Sequence, residues 1–215
     1  MIGAFPRVRS RRDSAGWRGC ARFQRAEDGV AVLEFALIAP ILLLLYFGTV
    51  ELATAMRQAR KIDLLSRTLG DTFSQRNAPT ALEVSDIFKM APMVMLPFDS
   101  TTIKMTVSAV GVVGDAQMGP LQICSSAAAP RSPIRMPGSL APVDAADSLQ
   151  VKGTRLLLVE VSATYKPVTG SAFLPNGSAG FTMSRKTLWP IRYGRRFASQ
   201  SPEIVIANGA SCPVR

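Results

Sequence analysis

Residues 30–50 read VAVLEFALIAPILLLLYFGTV, and Glu34 is the only charged side chain among them. A run of about 20 apolar residues rising ~1.5 Å each covers the ~30 Å hydrocarbon core of a bilayer. A carboxylate inside such a run costs about 3 kcal/mol unless it is paired, neutralised or close to the interface. The sequence keeps that carboxylate near the start of the run, five residues after Gly29. The run thus reads as a membrane helix with one acidic position that asks for a counter-charge.

The flanks set the expected orientation. Residues 1–29 hold seven arginines against Asp13, Glu27 and Asp28. Positive charge beside a first membrane helix favours the cytoplasmic side. This predicts an N-terminus inside and everything after Val50 outside the inner membrane. An arginine-rich end can also bind nucleic acid, but this one abuts a span, so no nucleic-acid partner is expected. Of the three cysteines, Cys20 lies in the basic leader, while Cys124 and Cys212 lie in the part expected to be exported. Oxidising compartments permit disulfides, so a Cys124–Cys212 bridge is expected. The alternative is two buried free thiols.

Four segments follow from the pattern. Residues 1–29 are a polar leader without apolar periodicity, and 30–50 are the span, with Pro40 inside it. Residues 51–100 hold an amphipathic extension of the same helix and a second, short helix. The extension carries apolar residues at Leu52, Met56, Ala59, Ile62, Leu65, Leu69 and Phe73, with gaps of three or four throughout, a helical stripe. Asn77 and Pro79 end it. Thr80 and Glu83 form a capping-box pair that starts the short helix to about Lys89, and 91–100, with two prolines, is a connection. Residues 101–215 are the exported domain. Ile103, Met105, Val107 and Ala109 alternate with Lys104, Thr106 and Ser108, which is period two, with Gly111 and Gly114 closing the strand. Residues 120–124 give a short strand ending at Cys124, and 125–150, rich in Ala, Pro and Ser, a long mobile loop. The clearest strand turns Leu157, Val159, Val161, Ala163 and Tyr165 to one face. A turn at 167–180 leads to a last strand from about Phe181 to Trp189. The expected fold class is α+β: a long N-terminal transmembrane and amphipathic helix followed by a small antiparallel sheet.

Catalytic chemistry finds little footing. The chain has no histidine, the commonest general base and metal ligand. The three cysteines lack zinc-like spacing. Gly111-Val112-Val113-Gly114 lacks the Lys-Ser/Thr of a phosphate loop, and no serine sits in a G-x-S-x-G turn. Glu34 has no partner for acid–base work in its own helix. The expectation is a protein that is no enzyme, with no catalytic, cofactor-binding or metal-binding residues and no cofactor. Arg185, Lys186, Arg192, Arg195 and Arg196 form a late basic cluster. It reads as a solvated charged rim or, functionally, as a surface for anionic lipid, cell-wall polymer or a partner. Trp189 and Tyr193 beside it read as the core edge.

The stretch Arg25 to Glu51, RAEDGVAVLEFALIAPILLLLYFGTVE, resembles the start of TadE-like pseudopilins of the Flp/Tad pilus assembly machinery, a branch of the type IV pilin superfamily. The matching features are Gly29 before the run, Glu34 followed by Phe35, Pro40 within the run and Glu51 just after it. The resemblance implies processing by a prepilin peptidase between Gly29 and Val30. Val30 becomes the first mature residue and Glu34 the fifth. It implies subunit pairing through Glu34 and Phe35, with the new ammonium of one subunit meeting the carboxylate of the next, since opposite charges ~4 Å apart attract strongly in low dielectric. It implies, as partners, other pilins and pseudopilins, the assembly platform, the peptidase and the inner membrane, and a role in pilus biogenesis and surface adhesion. A strand at Arg155 to Tyr165 and a C-terminal cysteine fit the same layout. Glu27 and Asp28 put negative charge before the cut, and Phe35 stands where the major Flp pilin has tyrosine. Both point to a minor, pilin-like component.

Two other readings compete. Ala53-Thr54-Ala55 has the small-x-small form of a signal-peptidase site, although the apolar run exceeds the usual ~7–15 residue core of such signals. A single-pass inner-membrane protein with an uncleaved anchor and a periplasmic binding or scaffolding domain is the third; there Glu34 only snorkels to the interface.

Overall fold

The computed structural model describes residues 28–113, 117–167, 180–196, 202–207 and 209–212. The leader at 1–27, with Cys20, and the turn at 168–179 lie outside them. The chain divides into two units, one ending at Thr49 and one running from Val50.

Helix α1 is one element, Asp28–Ser74, with Pro40 inside it. In the first unit it is exposed on every face from Gly29 on; Ala39 alone among these residues is half-buried. Leu and Ala, both strong helix formers, are the commonest residues there. It is the one described helix long and apolar enough to cross a membrane, and it fits a single-pass anchor.

The second unit is built around the rest of α1. Its buried face holds Ala55, Gln58, Ile62, Leu65, Leu69 and Phe73. From Ile62 onward this is the stripe read from the sequence. Before Ile62 the stripe is different: Leu52 and Met56 are 56% and 51% exposed, and Ala59 is exposed. The face is set there by a polar contact that an apolar pattern cannot register, since Gln58 Nε2 donates to the Thr164 carbonyl at 3.5 Å. Gly70 lies against the Trp189 indole, and a Cβ there would collide with the ring. The Ser66 and Thr187 hydroxyls meet at 3.0 Å.

Helix α2 (Ala81–Phe88) starts in the expected capping box. Thr80 Oγ1 accepts from the Glu83 N–H, and Glu83 accepts from the Thr80 N–H at 2.8 Å. Those hydrogen bonds hold the Glu83 carboxyl below its ordinary range, first through the Thr80 backbone N–H, then its hydroxyl. The expected connection at 91–100 contains a short helix instead, α3 (Ala91–Met95), with Pro92 in its first turn, where a missing N–H costs nothing.

The sheet has four antiparallel strands in the order β2-β1-β3-β4, with β1 Lys104–Val112, β2 Leu121–Ala128, β3 Arg155–Tyr165 and β4 Phe181–Pro190. Gly111 does not close β1, which runs on to Val112. Strand β2 continues four residues beyond Cys124 into the segment read as loop. The reason is a bulge. Ala109 pairs with Ser125 and Val110 with Ile123, so Cys124 is the extra residue. A bulge shifts which face successive side chains take. Leu121 and Ile123 consequently join one cluster, while Ala127 and Ala129 join the other. The inner face of the sheet, with Val107, Leu157, Val159 and Val161, packs on Leu65, Leu69 and Phe73 of α1.

The outer face is also covered, so β1 is buried almost throughout despite its period-two sequence. Val110, Val112, Ile123, Leu156 and Leu158 lie under Ala141, Val143 and Leu149. The segment read as a mobile loop supplies that cover. It runs along the outer edge of β2, with the Ile123 N–H donating to Ser139 at 2.8 Å and the Ala141 N–H to Leu121 at 2.8 Å. It includes a short 3-10 helix, Asp147–Leu149. Its Arg135 grips Glu160 of β3 through two bonds, at 2.9 and 2.7 Å. The tail adds β5 (Arg195–Arg196) and β6 (Pro202–Glu203), antiparallel to each other, and buries Ile204 and Ile206 in the main core.

Candidate functional site

The residues tied to processing and pairing occupy the first two turns of α1. Gly29 has open space around a would-be Cβ, so nothing in the described chain demands glycine there sterically. Val30 and Phe35 are 56% and 68% exposed. Glu34 is exposed and lies one turn beyond Val30 on the same helix face, as any i,i+4 pair does. Among the described residues its carboxylate has no hydrogen bond and no ion pair. A carboxylate so placed in lipid needs a partner from another molecule or a route to the interface.

Beyond Val50, Tyr165 at the end of β3 donates its hydroxyl to Glu51 Oε1 at 2.5 Å. Burial, and then the Glu51 carboxylate, push the Tyr165 phenol up to about 12. Glu51 is therefore a structural tie to the sheet, a role the sequence did not signal.

Cys124 and Cys212, 88 positions apart in the chain, are bonded, with Cα atoms 4.8 Å apart. The bulge exposes Cys124 to the tail, and Cys212 is held in turn by its backbone N–H, which donates to Glu203 Oε1. Cys124, Cys212 and Glu203 come within 4.8 Å of one another, the sort of grouping that can ligate a metal. With both sulfurs in the bridge, neither is a thiolate, and the thiolate is the ligating form. Glu203 is 1% exposed. Burial pushes its carboxyl up, against the Cys212 N–H and Arg155, which pull it down. Arg155 Nε lies 3.8 Å from Glu203 Oε2, and neither of these two atoms has a hydrogen-bond partner. Arg155 instead donates through Nη1 to the Val112 and Thr154 carbonyls, at 2.9 and 3.0 Å.

The late basic cluster is not a single free surface. Arg185 pairs with Asp63 at 3.0 Å and Arg192 with Asp71 at 3.1 Å, both on α1. Lys186 Nζ donates to the Pro142 carbonyl at 2.6 Å. The side chains of Arg195 and Arg196 lie outside the described part. Arg185 and Arg192 staple β4 and its successor to the helix, and Lys186 ties β4 to the cover. Trp189 packs at the core edge as expected, whereas Tyr193 is 67% exposed.

An open groove of about 750 Å³ lies between α2, α3 and the ends of β1 and β2, floored by Val84, Phe88, Ile103 and Ala129. Its floor is apolar, Lys89 and Arg131 are among its lining residues, and no carboxylate, histidine or cysteine lines it.

In comparisons with known proteins, the family model described as "TadE-like protein" matches residues 29–68. That interval holds the whole apolar run, Glu34 and α1 as far as Thr68. No curated protein and no solved structure matches the chain.

Proposed function

From the match of residues 29–68 to the TadE-like family, we propose that this chain is a membrane-anchored, pilin-like component of Flp/Tad pilus assembly. It acts without catalysis and without a cofactor. Its α1 run anchors it in the inner membrane with the arginine-rich end in the cytoplasm and the sheet domain in the periplasm, on the charge asymmetry of the flanks. Prepilin peptidase removes the leader between Gly29 and Val30. Glu34 then meets the ammonium of a neighbouring pilin or pseudopilin, and Phe35 packs beside it. The assembly platform engages the anchored subunit, and pilus biogenesis and surface adhesion follow from assembly. No nucleic acid is involved.

The observation that carries this reading is the Glu34 carboxylate, in an otherwise uncharged span with no partner among the described residues. The N-terminal sequence of the protein recovered from membranes tests it. Val30 as the first residue is expected. An intact terminus removes the processing step and favours the plain single-pass reading, which the apolar groove of about 750 Å³ independently supports as a binding domain. Met56 as the first residue makes the chain a secreted soluble protein. In assembling cells, Glu34→Ala is expected to abolish crosslinking between neighbouring subunits; unchanged crosslinking contradicts the pairing role.

A further inference from the structure

A group of unpaired cations lies on α1. Arg57, Arg60 and Lys61 gather within about one turn around an open cleft of about 430 Å³, floored by Leu64, Pro97 and Phe98. Among the described residues none of the three has an ion pair or a hydrogen bond. The nearest acid along the helix, Asp63, is already shared by Arg67 at 2.9 Å and Arg185 at 3.0 Å. No acidic residue lines the cleft. Three unpaired cations over an apolar floor match an anion that carries a hydrophobic body.

The position along the helix selects which anion. Arg57 follows the last residue of the apolar run by seven residues, ~10 Å of helix. The polar zone of a bilayer extends roughly 5–8 Å beyond the hydrocarbon on each side. Helical side chains tilt toward the helix N-terminus, here back toward the run, and long basic side chains extend their charge while their stems lie on apolar surface. Leu52 and Met56, one turn apart between the run and the cations, are the exposed apolar residues left over from the sequence-read stripe. They supply contact for acyl chains.

We propose that Arg57, Arg60 and Lys61 bind the phosphate of an anionic membrane lipid, with its acyl chains running back past Leu52 and Met56 toward the apolar run. This rests on reading residues 30–50 as an anchor, but not on any role in pili.

The test uses the full chain in a neutral detergent, titrated with short-chain phosphatidylglycerol, short-chain phosphatidylcholine and inorganic phosphate, with binding read by calorimetry. Phosphatidylglycerol is expected to bind at least tenfold more tightly than the other two. Each basic residue near an anionic lipid surface is worth about fivefold, so Arg57→Gln with Arg60→Gln and Lys61→Gln is expected to lower affinity on the order of a hundredfold. Lys104→Gln, which removes an exposed cation at the start of β1, is expected to leave it unchanged. Equal affinity for the two lipids overturns the proposal, as does an unaffected triple variant. Equal affinity for inorganic phosphate assigns the cleft to a soluble anion, and tighter binding of polyglutamate than of lipid assigns it to an acidic protein; either outcome overturns it too. Carbonate extraction of membranes reads the anchor separately: the triple variant is expected to remain in the pellet, and loss of both proteins from it refutes the anchor.

Discussion

Breaking the Cys124–Cys212 bridge probes how the tail is held. The bond separates residues 88 apart, and reduction frees that loop in the unfolded chain. The chain-entropy relation puts the lost stabilisation at about 4.6 kcal/mol near room temperature. The native state gains little to offset it, because Ile204 and Ile206 are fully buried and hold the tail near its place. With a urea slope of roughly 2 kcal/mol per molar, the unfolding midpoint of the detergent-solubilised chain should fall by about 2 M. The double variant Cys124→Ser with Cys212→Ser should behave like the reduced wild type, while Cys20→Ser should leave the midpoint unchanged. Thiol labelling without reductant should leave Cys124 and Cys212 unmodified, with or without the leader. A midpoint drop below roughly 0.5 M would falsify the entropic argument, because the loop would then be restrained by other contacts in the unfolded state. Labelling of Cys124 and Cys212 without reductant would refute the bridge itself.

Tyr165 provides a pH test. Its phenol sits at about 12 in the folded chain against 10.0 when unperturbed. The folded state thus holds the proton more tightly. Stability from this group is full below pH 10 and is lost as pH rises toward 12, on the order of 2–3 kcal/mol. Urea midpoints across that range should fall less for Tyr165→Phe than for the wild type, and parallel curves would remove the Glu51 tie. Gly70→Ala drives a Cβ into the Trp189 ring and is expected to cost about 1–3 kcal/mol, with a red shift of tryptophan emission; unshifted emission would show that the ring is not held there. Thr80→Ala should cost about 1 kcal/mol by removing the cap of α2. The Glu83 carboxyl is held low, so its part in the capping box is present above its ordinary value of 4.5 and fades as pH drops below it. Chemical unfolding at pH 7 and in mild acid checks both, and an acid-insensitive gap between Thr80→Ala and wild type would count against the box.

Much of this was legible in the sequence because local and tertiary demands agree there. The span, the stripe from Ile62 to Phe73, the capping box and the β3 alternation each follow from one periodicity or one pair of residues. What was hidden depended on distant partners. Gln58 displaced Ala59 from the buried face because Thr164 offered it a carbonyl. The bulge at Cys124 turned a strand end into a strand middle, and no turn residue marks it. The Ala- and Pro-rich segment read as loose because its apolar residues are small and scattered, yet Arg135 and the edge of β2 give it fixed partners. Acid–base pairing across more than 100 positions, as between Asp63 and Arg185, decided that Arg185 and Arg192 of the visible basic cluster are occupied and that a less obvious group on α1 is free.

The poor fit between Arg155 and Glu203 shapes how the tail behaves. Two buried charges facing each other with idle ends leave residues 202–206 easier to dislodge than their burial implies, since unmade bonds cost more than made ones return. The sulfur link keeps a dislodged tail leashed beside its seat, where effective concentration is high. Reclosing after any local opening is thereby favoured, and amide exchange over 202–206 reads how often the segment opens.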